Sequence, residues 1–180
     1  MTGYCFWITG LPGAGKTTLA RQLVTSLKGF VEQPVVLLDG DELREVLNSS
    51  GLHRTEDRRR LSYQYARLSR LLNQQNIHVV CSTVSMFDEV RAWNREYIEK
   101  YVEVFIDVKM EILIERDKNK LYSRAIQGEL IDVLGVNAPY EAPIAPDIRI
   151  CPEKNDSPEK SLEQLIKSLS DVIEEMKYEN

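Results

Sequence analysis

Residues Gly10-Leu11-Pro12-Gly13-Ala14-Gly15-Lys16-Thr17 match the phosphate-binding pattern G-x-x-x-x-G-K-[ST] without a gap. The stretch before them, Tyr4-Cys5-Phe6-Trp7-Ile8-Thr9, is aromatic and β-branched and reads as a buried strand. The stretch after them, Thr18-Leu19-Ala20-Arg21-Gln22-Leu23-Val24, carries apolar residues at helical spacing. Strand, loop and helix thus stand in the order that the motif needs. Its glycines let consecutive N–H groups turn toward one phosphate, at the positive end of a helix dipole. Gly10 through Thr18 are therefore expected to bind a nucleoside triphosphate. Lys16 would reach its β- and γ-phosphates, and the Thr17 hydroxyl would hold Mg²⁺.

Working outward, strand candidates recur at 4–8, 35–38, 77–81, 102–108 and 148–150, separated by segments of helical period such as 58–72 and 87–99. This alternation predicts an α/β fold in three layers: a mostly parallel five-stranded sheet with helices on both faces. A chain of 180 residues fits one domain, 1–180. The region 110–146 begins with helical character and then collects Gly135, Pro139, Pro143 and Pro146, so it is expected to form a lid. Ser157-Pro158 reads as an N-cap and first helical residue for a helix over about 158–177. Leu162, Leu165, Ile166, Leu169, Val172, Ile173 and Met176 share one face of it, suited to packing on the sheet.

A net charge of −5 argues against binding a nucleic-acid polymer, and anionic small molecules would be met by local basic clusters. Two such clusters are Arg54, Arg58, Arg59, Arg60 and Arg116, Lys118, Lys120, Arg124. The three cysteines are widely spaced and lack metal-ligand spacing, so buried reduced thiols are expected at Cys5, Cys81 and Cys151. The first strand starts almost at Met1, leaving no room for a targeting peptide, and no apolar run reaches membrane-spanning length. Those features predict a cytoplasmic protein with no membrane partner. Of the two histidines, His78 at a strand start reads as structural and His53 as a loop residue.

The second strand runs into Leu38-Asp39-Gly40-Asp41-Glu42-Leu43-Arg44. Ligands of open α/β sheets collect at the carboxyl ends of the strands, so these carboxylates should face the phosphate loop. A kinase needs one group to orient the acceptor hydroxyl and take its proton, and carboxylates on the metal side. Asp41 is assigned the first role and Asp39 the second; Arg44, one turn on, suits a substrate phosphate. Asp41 also reads as a helix N-cap, and the two roles are compatible.

With these motifs in order, the chain resembles the adenylylsulfate kinases, which move the γ-phosphoryl group of ATP to the ribose 3′-hydroxyl of adenosine 5′-phosphosulfate. The resemblance covers nearly all of 3–150. It includes Asp57-Arg58, Arg116-Asp117, Leu121-Tyr122, Gly128-Glu129 and the characteristic Pro139-Tyr140-Glu141-Ala142-Pro143. It implies a P-loop kinase fold with a mobile lid, ATP and Mg²⁺ as cofactors, a small-molecule nucleotide as acceptor, and a homodimer. Carried over by position, Lys16, Asp41, Arg116 and Arg124 are catalytic. Asp41, Arg44, Arg58, Ser85 and Lys120 contact the acceptor.

The departures fall on the acceptor side. Leu52 and Val133 stand where the family carries the two aromatic residues that sandwich adenine. Leu61 stands in a run that is usually Asn-Ile/Val-Arg-Arg, and Met86-Phe87-Asp88 replaces Pro-Tyr-Arg after Ser85. Lys118-Asn119-Lys120 replaces Pro-Lys-Gly. Loss of both rings removes about 1–3 kcal/mol of stacking per base. Either Tyr63, Tyr65, Phe87 or Trp93 supplies a ring from elsewhere, or the acceptor differs. Adenylylsulfate and a cytidine diphosphate conjugate, such as the cytidine diphosphoramidate of capsule modification, both remain open. A non-catalytic ATP-binding protein is a more distant reading, disfavoured by the retained acidic pair. A GTPase-type switch lacks its Asn/Thr-Lys-x-Asp signal.

Overall fold

The computed structural model describes residues 2–49 and 54–178. Its sheet has five strands, β1 (Cys5–Thr9), β2 (Val35–Asp39), β3 (His78–Thr83), β4 (Tyr101–Ile106) and β5 (Ile148–Ile150). They lie in the order β2-β3-β1-β4-β5 and every neighbouring pair is parallel, so the sheet is wholly rather than mostly parallel. Such a sheet needs both faces covered. The central strand shows this: all five residues of β1 are buried. Alternation sends Phe6 and Ile8 to one face, against α1 (Lys16–Leu27), α7 (Pro158–Ser168) and α8 (Ser170–Tyr178). Cys5 and Trp7 go to the other face, with Leu43 of α2 (Gly40–Val46), Leu61 and Tyr65 of α3 (Thr55–Asn73) and Val90 of α4 (Asp88–Tyr97).

Several strands run past their apolar stretches. Thr9, Asp39, Ser82 and Thr83 extend β1, β2 and β3 at their carboxyl ends, because the ladder continues through them. These polar ends form the edge from which the site is built. His78 opens β3, buried, and its Nδ1 accepts a hydrogen bond from the Tyr4 N–H at 2.9 Å.

Region 110–146 holds two short helices, α5 (Met110–Arg116) and α6 (Leu121–Ile126), joined by a 3-10 turn at Lys118–Lys120. Left-handed Asp117, Asn119 and Lys120 (φ 28°, 59° and 54°) keep the two helices from merging. At the C-terminus the Ser157 hydroxyl caps the helix that opens at Pro158, but the expected single helix is two. Leu169, wholly buried with φ −94° and ψ 7°, breaks it. The kink keeps Leu165, Ile173 and Met176 turned into the same core.

Cys151 is exposed, which corrects the expectation of three buried thiols. Burial pushes the Cys5 thiol up to about 12, against a hydrogen bond with Ser69, and burial likewise raises Cys81. Thiolate is the reactive form. A thiol reagent should therefore label Cys151 alone in the folded protein and all three cysteines after denaturation; fast native labelling of Cys5 or Cys81 would contradict this packing. Among the described residues, no helix is long and apolar enough to cross a membrane.

Candidate active site

Between β1 and α1 the phosphate loop closes on itself. Gly10 lies so near β4 that a Cβ there would sit 2.7 Å from the Ile106 carbonyl oxygen. Gly15 is left-handed (φ 98°), and a Cβ on it would meet nothing within 4 Å. That empty side, facing the start of α1, is the space a phosphate needs. Lys16 is buried and folds over the loop, its ammonium donating to the Leu11 carbonyl at 2.9 Å.

Asp39 ties three elements together. Its Oδ2 accepts from the Thr17 hydroxyl of α1 at 2.7 Å and from the Ser82 hydroxyl of β3 at 2.6 Å. Its Oδ1 accepts from the Asp41 N–H at 3.0 Å, so Asp39, not Asp41, is the N-cap of α2. Burial pushes the Asp39 carboxyl up, yet the Ser82 and Thr17 hydroxyls and the Asp41 and Glu42 N–H groups outweigh it and hold it below the ordinary range. Asp41 follows in the first turn, exposed, with Oδ1 accepting from Arg44 Nη2 at 3.0 Å.

These groups line one cavity of about 910 Å³. The phosphate loop forms its floor, Asp39 and Asp41 one wall, and Arg44, Arg58 and Arg124 the basic rim. Arg58 donates to the Asp132 carbonyl at 2.7 Å, which ties α3 to the region after α6. Burial and the neighbouring Arg44 charge both lower the Arg58 pKa. Two guanidiniums turned to one space make a place for an anion. Arg124 pairs with Glu129 at 2.9 Å on the same rim.

Other expected site residues lie elsewhere. Arg116, exposed at the end of α5, lines a separate cleft of about 310 Å³ beside Thr18, Lys154, Asp156 and Ser157, so it does not share the Asp41 cavity. Leu61 is on the inward face of α3, in the core with Trp7 and Tyr65. Val133 is buried in the other core, where its N–H donates to Asn137. Ser85 is wholly buried, and the Thr9 hydroxyl donates to its carbonyl at 3.2 Å. Lys120 is exposed at the start of α6 and does not line the cavity. Leu52 and His53 lie outside the described residues.

Sequence reasoning missed Ser82, Thr83, Val84, Asn119, Leu121 and Leu130, which line the same cavity. The polar pair closing the apolar run of β3 was a signal for two of them; the others depend on how 119–130 folds back. Tyr122 was also informative: its hydroxyl donates to the Pro12 carbonyl at 2.7 Å, fixing α6 to the phosphate loop.

No aromatic residue lines the cavity among the described residues. Tyr63 meets Trp93 edge-on, with ring centroids 6.4 Å apart, and Trp93 meets Tyr97 at 5.1 Å. Phe87 lies under Arg59, and the Tyr65 hydroxyl reaches the Gly40 carbonyl at 3.4 Å. None of these four rings lines the cavity.

The family model for adenylylsulfate kinase matches residues 2–151. Cytidine diphosphoramidate kinase of Campylobacter jejuni is 36% identical over 167 residues, covering 93% of this chain and 96% of that protein. Adenylyl-sulfate kinase of Myxococcus xanthus is 40% identical over 153 residues, covering 82% and 81%. Among solved structures, the Mycobacterium tuberculosis APS kinase in complex with AMPPNP and APS superposes with a TM-score of 0.82 at 30% identity, covering 94% of this chain and 98% of that one. These matches run along most of the length: the chain belongs to the adenylylsulfate kinase family and is an ATP-using phosphotransferase.

Proposed function

We propose that this kinase moves the γ-phosphoryl group of ATP to the ribose 3′-hydroxyl of a cytidine 5′-diphosphate conjugate, of which cytidine diphosphoramidate is the named form. The observation that carries this reading is the larger cavity's lack of any aromatic wall among the described residues. The undescribed stretch from Ser50 to His53 contains no Phe, Tyr or Trp to add one. Adenine without a ring on either side forgoes about 1–3 kcal/mol of stacking per base. A pyrimidine presents less surface and loses less. The cytidine diphosphoramidate kinase of C. jejuni, 36% identical to this chain, is consistent with the same acceptor. Adenylylsulfate is the second reading, supported by the family model and by the M. xanthus relative.

In this reading Arg44 and Arg58 receive the acceptor's diphosphate side. Asp41 takes the proton from the 3′-hydroxyl as its oxygen attacks the γ-phosphorus in line, and the bond to the β-phosphate oxygen breaks. Lys16 and Arg124 hold the charge that builds on the transferred group. The donor's base side is assigned to the smaller cleft, with Arg116.

The residues fit Mg²⁺ bound chiefly through ATP. Thr17 and Asp39 offer a hydroxyl and a carboxylate beside the phosphate loop, and no cluster of three or more metal-binding side chains occurs among the described residues. Bound there, the ion would neutralise β- and γ-phosphate charge. ATP supply and the family resemblance favour a cytoplasmic homodimer, and the acceptor favours a place in capsule modification.

A coupled assay with ATP·Mg²⁺ at equal acceptor concentrations tests the choice. The cytidine conjugate should exceed adenylylsulfate in kcat/KM by about tenfold or more, the scale of one lost stacking contact. The reverse preference would overturn this acceptor.

A further inference from the structure

The stretch most characteristic in the sequence, Pro139 to Pro143, does not line the larger cavity. Its central residue does something else. Helix α4 begins at Asp88 after Phe87, which offers no capping side chain. Glu141 supplies the cap from 53 positions away: its Oε2 accepts the Asp88 N–H at 2.6 Å. Its own N–H donates to the Met86 carbonyl at 3.1 Å. Glu141 thus clasps the chain between β3 and α4 at two points.

That chain starts at the cavity. Ser82, Thr83 and Val84 line it, and the next residue, Ser85, is pinned by Thr9 at the mouth of the phosphate loop. On the other side, the segment that delivers Glu141 comes from Asp132, whose carbonyl receives Arg58. It turns at 133–138, where Asn137 bonds both Val133 and Leu130. Beyond Glu141 the segment is fixed again, by Arg149 donating to the Pro143 carbonyl at 2.8 Å. One carboxylate therefore joins the β3–α4 wall of the cavity to the segment that anchors Arg58.

We propose that Glu141 is a positioning residue for the acceptor: by capping α4 across the fold, it sets the distance between Val84 and Arg58 on either side of the acceptor. This rests on assigning the larger cavity to the acceptor, and not on which base the acceptor carries. The phosphate loop is held by contacts of its own, Gly10 against β4 and Tyr122 on Pro12, so the ATP side does not depend on the clasp.

The test uses whichever nucleotide conjugate the unaltered protein phosphorylates, so a wrong acceptor shows in that protein and a wrong role for Glu141 only in variants. Glu141→Ala should raise the acceptor KM about tenfold, the equivalent of losing a strong helix cap, and leave the ATP KM within about twofold. Glu141→Gln keeps an oxygen for the Asp88 N–H and should recover most of the loss. Asp88→Pro removes the same N–H from the other partner, together with the carboxylate that pairs with Arg91. Asp88→Ala, which loses the carboxylate and keeps the N–H, is its control and should leave the acceptor KM unchanged. Proline suits a first helical position, and extended Phe87 suits the residue before it. It should reproduce the effect, and the double variant should add little to either alone. If Glu141→Ala does not fold, Glu141→Gln and Asp88→Pro decide the question alone. Both KM values rising together, or neither moving while only the melting temperature falls, would overturn the proposal.

Discussion

Lys16→Ala is expected to lower kcat/KM by about 10³-fold, the upper range for deleting one preorganised donor to a developing negative charge. Lys16 is the cation seated in the phosphate loop, buried there with its ammonium 2.9 Å from the Leu11 carbonyl. It is already near the place where phosphate charge must be met, and can exchange the Leu11 carbonyl for phosphate oxygens. Removing it should weaken ATP binding as well as transfer, since charge is lost in both ground and transition states. Lys16→Arg should rescue poorly, because a planar fork does not fit a loop shaped around a point charge. Paired ATP titration and steady-state kinetics give the readout. Near-normal transfer by Lys16→Ala would remove the phosphate loop from the mechanism.

Asp41→Ala should fail in a different way. A general base contributes about 10² to 10⁴-fold, and kcat should fall by that amount while ATP affinity stays within about twofold. The reason is geometric. Asp41 is exposed in the first turn of α2 and paired with Arg44, whereas Asp39 carries the contact to Thr17. Substitution at Asp41 leaves the Asp39 cap in place, since that cap uses the Asp41 backbone N–H. Asp41→Asn refines the result: an amide can still accept from Arg44 but is a far poorer proton acceptor. If Asp41→Asn transfers phosphate at a near-normal rate, Asp41 only orients the acceptor.

The elements that were legible in the sequence share one property: their signals are local. The phosphate loop, the alternation of apolar strands with helices, and the Ser157-Pro158 helix start each sit within a few neighbouring residues. The strand ends were less legible, because Asp39, Ser82 and Thr83 are polar and join the ladder only through their neighbours. Asp41 and Asp39 could be told apart as caps only from backbone angles. Arg116 and Arg124 are both basic residues of one region, and the left-handed turn at Asp117 to Lys120 sends them to different clefts. Leu61 and Val133 occupy positions suggestive of substrate contact, yet helix phase and a tight turn bury them. The cap that Glu141 gives α4 has no local signature at all.

The all-parallel sheet bears on how the chain comes off the ribosome. Cys5 pairs with Val79 and with Tyr101, so β1 gains its second neighbour only once β4 has been made. No hairpin exists to shelter it early, because parallel strands need long crossovers. The nascent Cys5-Phe6-Trp7-Ile8-Thr9 must therefore wait, apolar on both faces, until β4 has emerged. Pairings so remote in sequence fold slowly, and the waiting strand is where self-association would begin during synthesis.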